Sequence, residues 1–230
     1  MSKYAELVYM VLDELKGMSD DFTYTEDHVI FLLDKYRGFI LKQRYSDIKK
    51  QIPESNYQTL NLDLIQVPAI TGEPCECGVY LRSRQKIPFL MQIANPKVYP
   101  IDYYQGEITY VSRDRMRYVG YNKYLKNIIY CSIAPDGYLY LKSSNPQFMY
   151  LERVSITGIF QNAKEIAELQ SNCPDKPCDI LDANFPIEDA LIPPLIELVV
   201  KELASAEYRP SDDRNDADDN LEGLSVKTRQ

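Results

Sequence analysis

The hydrophobic period changes twice along this chain of 230 residues. Near both ends apolar residues recur at helical spacing. From about residue 57 to 160 they instead fall in short runs rich in Tyr, Ile, Val and Leu, separated by Pro and Gly. A period of 3.6 and a period of two demand different elements, so the chain must combine helices with a sheet. Its length is enough to bury a sizeable core. No run of about 18 apolar residues occurs, so no membrane-spanning helix is expected. The N-terminus lacks the basic, apolar and small-residue order of a secretory signal.

The first helix is expected over residues 3–16. Tyr4, Leu7, Val8, Val11, Leu12 and Leu15 form its apolar stripe, and Gly17 is expected to end it. The second runs from the region of Thr23 to about Tyr45. Thr23 and Glu26 have capping-box spacing, with Thr25 as the rival cap. Gly38 suggests a close helix crossing, and a short helical piece is expected over 46–51 before Pro53.

Strands are expected at 57–67, 79–82, 108–111, 128–133, 138–142 and 148–159. Pro135-Asp136-Gly137 is the strongest hairpin signal. Alternation in Tyr138-Leu139-Tyr140-Leu141 puts two tyrosines on one face. The region reads as mainly antiparallel β with long loops. Helix resumes at about 164–169 and over 187–206, where Pro193-Pro194 interrupts the front and Pro194 suits a first turn. The stretch 210–222 holds six acids and one Arg, a composition that cannot bury itself; Leu221, Leu224 and Val226 are sparse apolar anchors in or beyond it.

Charge is segregated. Residues 78–130 hold 9 basic and 3 acidic groups, whereas residues 160–230 hold 7 basic and 16 acidic. This pattern fits a solvated surface of uneven sign, or copies meeting through opposite patches. The net charge of −8 argues against a protein held on nucleic acid by phosphate contacts alone. Arg82, Arg84 and Lys86 alternate, as do Arg113, Arg115 and Arg117. On a strand, each trio would share one face and could touch a partner or, with Tyr118 and Tyr121, nucleic acid. Pairing with acidic neighbours is the plainer alternative.

Catalytic signatures are missing from the sequence. A Ser-His-Asp triad or Cys-His dyad would have to use His28, the single histidine, which is expected to be an ordinary side chain in a first helical turn. With 9 glycines there is no phosphate-binding loop pattern. Cys75 and Cys77 with Cys173 and Cys178 could assemble a zinc site, but C-x-C and C-x4-C are unusual spacings and reduced thiols in loops are the plainer reading. No enzymatic activity and no cofactor are expected. A zinc- or nucleic-acid-binding module remains the alternative.

The stretches Arg82 to Pro88 and Phe185 to Leu203, set in the order helix, long helix, Tyr-rich β region, helix and acidic tail, resemble the ring or adaptor proteins of crAss-like tailed phages. These are head–tail connector proteins. The resemblance implies an α+β fold: a helical bundle of the two N-terminal helices plus the C-terminal helix, an inserted mainly antiparallel β domain, and an extended C-terminal arm. The divisions expected are 1–56, 57–160, 161–207 and 208–230. It also implies a homo-oligomeric ring of about twelve copies beneath a portal protein, next to other ring or tail proteins. Packaged DNA would pass through its lumen without sequence-specific binding. Such a protein would be assembled in the host cytoplasm and reside in the virion neck or tail. Tyr208, Arg209, Leu221 and Leu224 are then candidate arm contacts, beside the two basic trios. The family has no catalytic residues to carry over.

Overall fold

The computed structural model describes residues 2–18, 23–47, 50–68, 80–101, 108–119, 123–170 and 179–207. Helix α1 spans Tyr4–Met18 and buries Tyr4, Leu7, Val8, Val11 and Leu15, the stripe its spacing predicts. It runs through Gly17 instead of stopping there. Helix α2 spans Glu26–Arg44. Thr25 is its N-cap, through its backbone carbonyl and without a side-chain cap bond, so the expected Thr23–Glu26 box is not the start signal used. The described part of 46–51 forms bends, not a helix.

Strands β1 (Gln58–Val67), β2 (Tyr80–Ser83), β3 (Lys97–Pro100) and β4 (Ile108–Tyr110) follow, then the short helix α3 (Arg113–Met116). Strands β5 (Ile129–Ile133), β6 (Leu139–Lys142) and β7 (Arg153–Gly158) complete the sheet. Helices α4 (Ala163–Gln170) and α5 (Ile192–Glu207) come last. Pro193 and Pro194 lie in the first turn of α5 and do not break it. Backbone N–H groups there have no intrahelical partner, so the prolines remove no bond.

The seven strands form one sheet in the order β3-β7-β1-β2-β6-β5-β4. Every pair is antiparallel except β4 with β5. Strand β1 divides its pairing: Gln58 to Asp63 lie against β7, and Leu64 to Val67 against β2. That stagger curls the sheet until the edge strands β3 and β4 lie side by side, nearly closing it. β3 escaped the sequence reading because Lys-Val-Tyr-Pro is short and Pro-bounded. The expected strand 148–159 is really a 3-10 turn, Pro146–Tyr150, followed by β7. Asn145 starts that turn by accepting the Gln147 N–H.

Apolar cores separate by element. Helices α1, α2 and α5 pack on one another around Leu7, Val11, Leu33, Leu41, Leu195 and Val199. Inside the sheet, Leu60, Leu62, Leu81, Leu139, Leu141, Val154 and Ile156 form a second core. Tyr80, Tyr130 and Tyr140, on the opposite face of β2, β5 and β6, form a third beneath Met116 of α3. Alternation in β6 thus supplies leucine to one core and tyrosine to the other. The β5–β6 hairpin turns at Gly137, whose φ of +84° lies in the left-handed region. Asp136 fixes this turn by accepting the Tyr138 N–H at 3.1 Å and the Tyr140 O–H at 2.7 Å.

Candidate functional site

Helix α2 carries a fully buried arginine. Arg37 donates from Nε to the carbonyl of Pro186 (2.7 Å), from Nη1 to that of Phe160 (2.8 Å), and from Nη2 to that of Asn56 (3.3 Å). These acceptors lie before α5, after β7 and before β1. One planar cation therefore holds the points where the chain leaves and re-enters the helices. Asn56 extends the junction, its Oδ1 accepting the Glu188 N–H at 3.0 Å. Burial lowers the Arg37 pKa to about 10, so it stays charged at neutral pH. Nearby Asp34 is also buried; its carboxylate accepts the Tyr4 O–H at 3.2 Å and the Lys164 N–H at 3.1 Å. Burial raises its pKa, opposed by the Lys164 N–H and by Arg37. This junction is an architectural centre.

The outer face of α2 presents Phe31, Lys35, Phe39 and Lys42 at helical spacing. Opposite stand Phe89, Met91 and Ile93, leaving a groove of about 650 Å³. Its aromatic walls face solvent: Phe31 is 63%, Phe39 56% and Phe89 67% exposed. Gly38 lies in this groove with Met91 over it, so it marks approach of a loop rather than the expected helix crossing. Sequence reasoning missed both Arg37 and the groove. A usable signal existed: an Arg on the apolar stripe of α2, and two Phe residues off it.

The basic trios behave differently from expectation. Strand β2 ends at Ser83, whose Oγ donates to the Gln85 carbonyl (2.8 Å) and accepts the Leu139 N–H (3.1 Å), turning the chain. Arg82, Arg84 and Lys86 therefore do not share one strand face. Arg82 and Lys86 converge on the Tyr138 ring, at 4.4 and 5.9 Å from its centroid, while Arg84 is exposed. Arg113, Arg115 and Arg117 are on α3 and its C-cap, not a strand. Alternate residues on a helix diverge by about 200°, so this trio has no common face. Met116 between them is buried against the tyrosine core, with Arg115 and Arg117 exposed beside Tyr118.

His28 is exposed in the first turn of α2 and stacks on Tyr24 with ring centroids 5.8 Å apart. Among the described residues no group of three or more His, Cys, Asp or Glu is placed to hold a metal ion. Cys75, Cys77, Cys173 and Cys178 lie outside those residues, as do Tyr121, Tyr208, Arg209, Leu221 and Leu224. Cys131 is buried in β5, and burial pushes its thiol up to about 12. No helix among the described residues is long and apolar enough to cross a membrane.

Residues 6–221 match the family described as phage tail ring protein 2. The chain belongs to that family. It is 67% identical over 221 residues to Ring protein 2 of Bacteroides phage crAss001, covering 95% of this chain and 97% of that protein. The resemblance carried by Arg82 to Pro88 and Phe185 to Leu203 is thereby shown. A structural role in the virion, as part of a ring, follows for this ring protein. Its large exposed side chains, Phe31, Phe39, Phe89, Tyr118, Tyr124 and Tyr150 among them, suit contact with other subunits.

Proposed function

We propose that this ring protein is a head–tail connector that docks beneath the portal and joins it to the tail. About twelve copies close laterally through a heterologous interface, the geometry that makes rings when its rotation closes. Axial faces meet the portal on one side and an adjacent ring or tail protein on the other. DNA passes along the lumen without base-specific contact. The protein has no enzymatic role and needs no cofactor, and assembly takes place in the host cytoplasm. The observation carrying this reading is the match to a ring family along nearly the whole chain.

In this reading residues 57–160 are a β domain inserted into a bundle made from 1–56 and 161–207, and 208–230 form an acidic arm. Separate helical and sheet cores, and the direct pairing of Gln58 with Gly158 where the chain enters and leaves the sheet, support the division. Arg84, Lys86, Arg115 and Arg117 are the exposed basic side chains of the two trios. Tyr208, Arg209, Leu221 and Leu224 would act within the arm.

Electron microscopy of the purified chain, alone and with portal protein, tests the assembly. Rings of about twelve copies are expected on portal; monomers in both samples would overturn it. Deleting residues 208–230 should leave helix content unchanged and reduce incorporation into portal complexes. Normal incorporation would remove the arm from the proposal.

A further inference from the structure

The groove on α2 is an apolar site with a cationic rim, and the chain contains a segment of the opposite kind. Phe31, Phe39 and Phe89 form exposed aromatic walls, while Lys35 and Lys42 stand on the rim. Beyond α5, the stretch 210–222 holds six acids, and Leu221, Leu224 and Val226 are its apolar anchors. Aromatic walls suit those anchors, and Lys42 suits the acids beside them, Lys35 being paired with Glu202 at 3.4 Å.

Position agrees with chemistry. Helix α5 runs antiparallel to α2: Tyr45 meets Glu188 near its start, and Lys35 and Tyr36 meet Glu202 near its end. Tyr24, just ahead of α2, donates to the Leu203 carbonyl at 2.9 Å, so α5 ends at the N-terminal end of α2. Thirteen residues separate Glu207 from Leu221. An extended spacer of that length spans about 45–50 Å, and its repelling acids favour extension. A folded chain of this size has a radius of gyration of about 17 Å, hence a width of about 45 Å. The spacer thus exceeds the roughly 28 Å length of α2 and is long enough to cross one subunit's width to a neighbouring copy.

We propose that the α2 groove receives Leu221, Leu224 and Val226 of a neighbouring copy, so that each tail seats on the next subunit around the ring. This rests on the arm reading above and adds its receptor.

The test uses the full chain carrying a photo-crosslinking residue at position 224, assembled on portal from equal parts of ordinary and 15N-labelled protein. Crosslinks are expected to the Phe31–Phe39 or Phe89–Ile93 peptides, in pairs of mixed isotope. Phe39→Asp, at an exposed position outside the core, should cut their yield at least fivefold, and Phe39→Leu should retain it. Phe89→Ser repeats the test from the loop side should Phe39→Asp disturb α2. Crosslinks to another surface, pairs of a single isotope only, or a yield indifferent to Phe39→Asp and Phe89→Ser would each overturn the proposal. The arm reading fails separately, when deletion of 208–230 leaves incorporation unchanged.

Discussion

Arg37 on α2 donates its Nη1–H to the carbonyl of Phe160, 2.8 Å away across the boundary between helices and sheet. Two further carbonyls, of Pro186 and Asn56, depend on the same guanidinium. All of this is buried, so water cannot replace a missing donor. Arg37→Ala should destabilise the fold by about 3–5 kcal/mol. Arg37→Lys should recover only part of that, because one ammonium cannot span three acceptors. Urea unfolding followed by circular dichroism measures both; a loss below about 1 kcal/mol for Arg37→Ala would contradict the clasp.

Asp34 predicts a pH dependence of unusual sign. Burial raises its native pKa, so the folded state binds this proton more readily than the unfolded chain, whose value is about 3.9. Its contribution to stability therefore falls as pH rises from about 4 through the raised native value. The groups facing it are the Tyr4 hydroxyl, the Lys164 N–H and Arg37. Asp34→Asn should flatten that slope in thermal melts recorded across this window. A variant with a slope parallel to the wild type would refute the assignment.

Gly137 turns the β5–β6 hairpin with positive φ. Gly137→Ala should cost about 1–2 kcal/mol, because a Cβ disfavours the left-handed region. Gly137→Asn should cost less. Equal melting temperatures for the alanine variant and the wild type would show that the turn relaxes freely.

Cys131 should resist alkylation. Its thiol is buried and its pKa pushed up to about 12, so almost no thiolate exists at pH 8. Mass spectrometry after iodoacetamide treatment should find Cys131 modified only once denaturant is added. Rapid labelling of the native protein would mean the sheet core opens readily.

Much of the framework was legible because its signals are local. The apolar spacing of α1 and α2 and the Pro135-Asp136-Gly137 turn each lie within a few residues of chain. β3 was hidden because its only reason to be extended is β7, far along the sequence. The strand expected at 148–159 ignored Pro146 and its Asn145 cap, which select a 3-10 turn first. The basic trios misled for a related reason. Spacing of two means a shared face only in a strand, and Ser112 to Arg117 folds as helix around buried Met116. Arg37 was unreadable as a clasp because its three acceptors are backbone atoms, which carry no signature in side-chain sequence. The groove could have been suspected from Phe31 and Phe39, yet its far wall comes from a loop whose docking no periodicity announces.

The chain enters the sheet at Gln58 and departs from Gly158, directly opposite on the adjoining strand. The two ends of the sheet segment meet at that rung, yet Met91 and Ile93 between them also pack on the helical core, so a load on the sheet reaches the helices along two paths.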